Sequence, residues 1–150
     1  MTSYLSFSVS GESYAIPVGR VVEALRIAWP TPVAQPPKDV LGLLNVAGEL
    51  LVVVEPAHRL GLVPTPIELS DYLLLIERSQ GRVALKVGAL GGLVEGLPTA
   101  APEKAELPPF VVGYLVREGS PVALLDVDGL LGPATDELCR KTTEEAGASS

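Results

Sequence analysis

Apolar residues along this chain fall into short segments, each about the length of a β-strand. Residues 4–9 alternate apolar side chains with serines, a pattern typical of a strand buried on one face. Residues 41–44 and 50–54 are continuously apolar, and a polar break containing Gly48 separates them. Two such runs on either side of a glycine-containing break predict a β-hairpin with its turn at that glycine.

The remaining segments extend this all-strand pattern. A helical turn leading into a strand is predicted at 21–27, and a short helix at 136–141, beyond which the chain should fray. Residues 28–39 and 98–109 are rich in proline, which removes backbone donors, so both segments are expected to be loops. Residues 89–97 have no clear pattern. Further strands are predicted at 14–18, 72–77, 82–87, 110–117 and 121–127.

The chain also contains an internal repeat. Residues 40–61 align without gaps on residues 111–132, an offset of 71, and the aligned identities include turn glycines. Looser matches link Tyr4-Leu5 to Tyr72-Leu73 and residues 22–25 to 94–97. A fixed offset of this kind indicates one structural unit used twice, against the alternative of a chance match between two ordinary hairpins. The repeat predicts two similar units, one mainly from each half, with Gly48 and Gly119 at equivalent turns.

Composition limits the classes of function. The formal net charge of −7 disfavours binding to nucleic acid or to anionic membrane surfaces, because both depend on basic side chains. No stretch reaches 18 apolar residues and no signal-peptide pattern is present, so membrane insertion is not expected. The single cysteine excludes an intramolecular disulfide, and a cytoplasmic location is expected.

The sequence offers little for catalysis. His58 is the only histidine and Cys139 the only cysteine, so no metal cluster or cysteine–histidine pair can be assembled. Asp126 and Asp128 follow an apolar strand, and the pattern favours solvated acids at a strand end over a catalytic pair. We therefore expect no catalytic residues, cofactor or metal. A small all-β enzyme is disfavoured, and a binding or scaffold module is favoured.

The motifs resemble those of one known family. Gly42-x-x-Asn45-x-x-Gly48, followed by an apolar strand that ends on an acid and then Leu60-Gly61, resembles the central signature of CheW-like coupling proteins of bacterial chemotaxis. The resemblance covers about residues 4–132. It implies a mainly β fold of two packed SH3-like five-stranded barrels without catalytic activity. It also implies two partners, the cytoplasmic tip of a methyl-accepting chemoreceptor and a CheA-type histidine kinase.

The resemblance carries domain and site expectations with it. The CheW-like domain would span 1–135, with barrels at roughly 1–66 and 67–132 whose strands could be exchanged, and 136–150 would be a partly disordered tail. The resemblance implies receptor binding by a set on two strands and one turn: Val21, Glu23, Gly42, Asn45, Ala47 and Gly48. Kinase-binding candidates are Trp29 and Thr31 in the proline-rich loop. Trp29 is either an exposed interface anchor or a lid over a barrel end.

Ala47 departs from the family pattern, which usually has an arginine in this Asn-x-Arg-Gly turn. In the family this turn borders the receptor groove, so the substitution bears directly on receptor binding. The function implied by the resemblance is a scaffold that couples chemoreceptors to the kinase. The alternative is a divergent protein of a specialised, non-flagellar pathway that binds only one of the two partners.

Overall fold

The computed structural model describes residues 2–100 and 107–148, and in these ranges it is mainly β. Two short 3-10 helices, Val18–Arg20 and Pro56–His58, lie between strands, and Pro56, which cannot continue a strand ladder, is the first residue of the second. The strands and the helix are β1 (Ser3–Val9), β2 (Glu12–Pro17), β3 (Val21–Arg26), β4 (Val40–Val46), β5 (Glu49–Val54), β6 (Tyr72–Ile76), β7 (Val83–Val87), β8 (Leu90–Glu95), β9 (Val111–Arg117), β10 (Ser120–Leu125) and α1 (Pro133–Ala148).

The strands form two five-stranded sheets that exchange elements. The first sheet has the order β8-β1-β2-β10-β9 and the second the order β3-β6-β7-β5-β4. The second sheet is built from a continuous stretch of chain, whereas the first takes β1 and β2 from the start and β8 to β10 from the end. With the division at 66/67, each sheet takes three of its five strands from one half and two from the other, so strands are exchanged across that boundary. The cause is the parallel pairing of β2 with β10 and of β5 with β7.

Backbone hydrogen bonds close each sheet into a barrel. Thr31, beyond the end of β3, exchanges two bonds of 2.8 Å with Leu43 on β4, the opposite edge of the second sheet. Thr99, beyond the end of β8, exchanges two bonds of 2.8 Å with Tyr114 on β9. We refer to the two closed sheets as the first and the second barrel. The fold class expected from the sequence is confirmed.

The two repeated hairpins have the same register. Gly42 lies opposite Val53 on the β4–β5 hairpin, and Gly113 lies opposite Leu124 on the β9–β10 hairpin, each next to a β-bulge. Gly48 and Gly119 occupy equivalent turns, as the repeat predicted. This agreement rules out a chance match.

The upstream half of the repeat was aligned wrongly. Arg26 pairs with Tyr72 in the second barrel, and Val94 pairs with Tyr4 in the first. Residues 22–25 therefore correspond to 90–93 and not to 94–97, an offset of 68. The loops between the repeated segments differ in length, so an ungapped shift cannot hold across them.

Apolar side chains form three clusters, which explains the continuous apolar runs. One cluster fills the first barrel, around Leu115 and Leu124, and another fills the second, around Val53 and Leu73. The third and largest lies between the barrels and includes Phe7, Ile16, Val52, Leu74 and Leu85. The inner strands of the second barrel thus contact apolar neighbours on both faces. Their sequences lack alternation for that reason.

Helix α1 is longer than the sequence indicated. It begins at Pro133, a position where the missing N–H costs nothing, and continues to Ala148 through residues that were expected to fray. Thr135, Cys139 and Thr142 form a buried stripe along it. The buried Arg78 donates to the carboxylate of Asp136 at 2.9 Å and attaches the helix to the body. Residues 149–150 of the predicted tail lie outside the described residues. No helix within these ranges is long and apolar enough to cross a membrane.

Candidate functional site

The turn between β4 and β5 presents three of the predicted receptor-binding residues at one tip. Ala47 and Gly48 have φ values of 51° and 88°, as the two central residues of a type I′ turn require. Asn45 stabilises the turn, because its Oδ1 accepts the Gly48 N–H at 2.9 Å. Ala47 is exposed, so it offers only a methyl group at the point where a longer side chain would reach outwards.

Gly42 has a structural reason for being glycine. Its φ is +151°, and a Cβ at this position would lie 2.3 Å from the carbonyl oxygen of Thr31. Any side chain would separate the closing segment from β4. The structure thus places Gly42 against the barrel closure and away from the exposed tip of the turn.

Two ion pairs and a backbone hydrogen bond connect the base of the turn to Arg20, the residue before Val21. Glu49 at the base of the turn bonds Arg82 at 3.1 Å, and Arg82 bonds Glu77 at 2.7 Å. The Glu77 N–H then donates to the carbonyl oxygen of Arg20, the residue before Val21. Val21 and the turn therefore lie at the same end of the second barrel. Val21 is half-buried and Glu23 is exposed.

The same end of the second barrel is bonded to the first. Arg20 forms two hydrogen bonds with Asp128, at 2.7 and 3.2 Å, and the Ser79 N–H donates to Asp128 at 2.8 Å. The hydrogen bond from Arg20, followed by that from Ser79, holds the pKa of Asp128 below its ordinary value. The expectation of a solvated Asp128 is therefore wrong, since this acid joins the barrels. Asp126 is exposed, as expected.

Trp29 lies on the surface beside the closing segment. Its side chain is 57% exposed, which does not fit a lid folded over a barrel end. Thr31 pairs antiparallel with Leu43, so the residues before Thr31 run in the direction of the Asn45–Gly48 turn. Trp29 and Thr31 thus lie close to the Asn45–Gly48 turn, in neighbouring parts of the second barrel.

The described residues contain no group of three histidine, cysteine, aspartate or glutamate side chains that could hold a metal ion. His58 is exposed, and Cys139 is buried in the cluster between the barrels. Burial raises the pKa of the Cys139 thiol, which makes it a poor nucleophile. An apolar groove of about 270 Å³ lies beside Pro17, Pro98 and Val112. Its lining carries no arrangement of acid, base and nucleophile.

A buried ionic cluster that the sequence pattern did not predict lies around Lys86. The Lys86 ammonium lies 2.7 Å from the carboxylate of Glu55 and 3.7 Å from that of Asp71, and it donates to the Thr65 carbonyl oxygen at 2.9 Å. This cluster attaches the proline-rich linker 62–71 to β7. A signal was available, because Lys86 interrupts an otherwise apolar strand and a buried lysine requires a partner.

Comparisons with known proteins agree with this architecture. The family model for the CheW-like domain matches residues 3–134. Among solved structures, the fold is similar to the scaffolding protein TtCheW from Thermoanaerobacter tengcongensis, with a TM-score of 0.77 and 18% identity over 86% of this chain and 91% of that chain. No curated protein sequence matches the chain at a significant level. The family match spans most of the chain, and the protein therefore belongs to the family of CheW-like domain proteins.

Proposed function

We propose that this protein is a non-enzymatic adaptor that couples chemoreceptors to a CheA-type histidine kinase in a chemosensory pathway of the cytoplasm. The observation that carries the proposal is the match to the CheW-like domain over residues 3–134, together with the two-barrel fold.

The proposed receptor surface is the end of the second barrel that carries the Asn45–Gly48 turn, together with Val21 and Glu23 on β3. Three observations support it: the turn is exposed, its backbone is held by Asn45, and ion pairs fix it relative to β3. A preorganised tip loses little conformational freedom when it binds. Gly42 contributes indirectly, by allowing the barrel to close beneath this surface.

The proposed kinase surface lies beside it and centres on Trp29 and Thr31. Trp29 is 57% exposed on a segment stiffened by prolines and anchored by the Thr31–Leu43 backbone bonds. A large aromatic side chain on a rigid backbone is a favourable interface anchor, because little side-chain entropy is lost on binding. Apolar contacts of this kind would leave the affinity nearly independent of salt.

The experiment that tests the proposal measures binding of the full chain to a purified receptor tip and to the regulatory domain of a kinase from the same cells. Trp29→Ala should weaken kinase binding by about tenfold or more while leaving receptor binding unchanged. Ala47→Arg should change receptor binding only. Leu69→Ala, which truncates an even more exposed apolar residue on the linker, is the control. If the unmodified chain binds neither partner, the adaptor role is refuted.

The alanine at position 47 supports a second candidate function. In it, the protein is a dedicated adaptor of a specialised pathway and binds a different receptor or only the kinase. An arginine at position 47 would offer the receptor charged hydrogen bonds worth about 1.5–3 kcal/mol each. The methyl group of Ala47 offers none. If Ala47→Arg creates binding to a generic receptor tip, the missing arginine explains the divergence. If it abolishes binding to the cognate receptor, the site fits a different partner.

A further inference from the structure

The outer face of the β9–β10 hairpin is apolar and partly exposed, with Tyr114 and Ala123 half-buried and the other residues exposed, and we name it the β9–β10 face. It consists of Val112, Tyr114, Val116, Pro121 and Ala123. Val112 is 58% exposed and Val116 is 69% exposed, although both lie in a regular strand. An exposed apolar patch of this kind favours association with another chain.

The equivalent face in the second barrel is covered by the protein's own helix. At the offset of 71, Val52 corresponds to Ala123 and Leu43 to Tyr114. Helix α1 packs against β5, and Leu138 and Cys139 belong to the same apolar cluster as Leu43 and Val52. Val52 is 1% exposed as a result. The hairpin of this fold thus has an outer face on which a helix packs.

The first barrel receives no such helix from the described chain. Helix α1 starts directly after Gly132, and the corresponding Gly61 is followed by a linker that contains Pro64 and Pro66. This linker cannot be helical. It runs to the β1–β2 turn, where Ser10 donates to the Val63 carbonyl oxygen at 2.6 Å, and to Lys86 through Thr65. Within residues 2–100 and 107–148, no helix covers the β9–β10 face.

We propose that the β9–β10 face is a docking site for an amphipathic helix of a partner protein. The buried residues of α1, Thr135, Cys139 and Thr142, indicate the pattern that fits: small or mid-sized side chains at i, i+4 and i+7. The acidic Glu12 and Glu118 border the face and favour basic residues along the flanks of the incoming helix. This site shares no residue with the proposed receptor and kinase surfaces and does not depend on them.

The test uses the isotope-labelled full chain and a stapled helical peptide with the sequence of residues 133–143 and Glu137→Lys. Two-dimensional NMR should show shifts confined to β9 and β10. Val116→Glu should weaken binding by about tenfold or more, because it places a charge in the apolar contact. Leu69→Glu, on an equally exposed linker residue, should not change the affinity. A control peptide with Cys139→Glu in its stripe should not bind.

Several outcomes would overturn the proposal. Shifts on β5 and α1 instead would mean that the peptide only competes with the chain's own helix. Contacts between residues 101–106 and the methyl groups of Val112 or Val116 would mean that the chain itself covers the face. Shifts at Val112 and Val116 that grow with protein concentration, without peptide, would assign the face to an interface between copies. Equal weakening by Val116→Glu and Leu69→Glu would make the binding non-specific.

Discussion

The two repeated hairpins share a backbone but differ in what their equivalent positions do. Glu55 and Asp126 correspond, yet Glu55 is buried against Lys86 and Asp126 is exposed. Asp128 binds Arg20, whereas its counterpart Ala57 packs in the apolar cluster. Register, bulge and turn are therefore the repeated features. The charged contacts that attach linkers and join the barrels are specific to each copy.

The largest expected effect concerns Glu55 and Asp126, the corresponding acids that directly follow β5 and β10. Only Glu55 has a buried ammonium partner. Lys86→Met should lower the free energy of unfolding by about 3–5 kcal/mol, because it leaves the buried Glu55 carboxylate without its ammonium partner. Chemical denaturation with urea measures the change. Lys141→Met, which removes an exposed ion pair with Glu137, is the matched control and should cost less than about 0.5 kcal/mol.

The double variant Lys86→Met with Glu55→Met tests the cause. Replacing both partners of a buried pair with apolar side chains is often nearly neutral, so the double variant should recover part of the stability. A double variant less stable than Lys86→Met alone would contradict this explanation.

The next effect compares the glycines at the two barrel closures. Gly42→Ala should cost about 2 kcal/mol or more, because the new Cβ would lie 2.3 Å from the Thr31 carbonyl oxygen at a φ of +151°. Gly113→Ala should cost about 1 kcal/mol, because its Cβ would lie 3.1 Å from the Thr99 oxygen, which a small shift relieves. Thermal unfolding of both variants measures the difference. If both variants lost the same stability, the Thr31 closure of the second barrel would be no tighter than the Thr99 closure of the first.

The smallest effect concerns the contact between the barrels. Asp128→Asn should cost about 1 kcal/mol at pH 7, since the pair with Arg20 is partly exposed. The folded pKa of Asp128 is lowered, so its contribution is complete above the ordinary value of about 3.9 and is lost as the pH falls through the folded pKa.

The stability difference between the unmodified chain and Asp128→Asn should therefore narrow below about pH 4. A difference that stayed constant down to pH 2 would mean that the ion pair does not contribute.

Local sequence determined the strands and turns, because each depends on neighbours a few residues away. Gly48 and Gly119 were predictable from their hairpins, and so was the repeat itself. The pairing of β2 with β10, which places β1 and β2 in the first sheet, could not be predicted from local sequence, because the paired residues are more than 100 positions apart. The length of α1 was hidden because its buried stripe contains Thr135 and Thr142, which a hydrophobic pattern does not detect.

The candidate site likewise contains features that local sequence predicts and features that depend on distant residues. The Asn45–Gly48 turn was readable locally, because a short polar break with glycine has few conformations. The reason for glycine at position 42 was not, since its neighbour Thr31 comes from a separate segment. Asp128 was misjudged because its partner, Arg20, lies at the other end of the chain.

The exchanged strands impose an order on synthesis at the ribosome. The strands of the second barrel lie between Val21 and Val87, so that barrel can close while the rest of the chain is still being translated. Strands β1 and β2 are made before this barrel, but β2 cannot pair with β10, which ends at Leu125, until much later. During that interval their apolar faces are without the partners of the finished fold. Strands β1 and β2 are thus made before the second barrel but are completed after it, and the nascent chain is most open to chaperones and misassembly at these two strands.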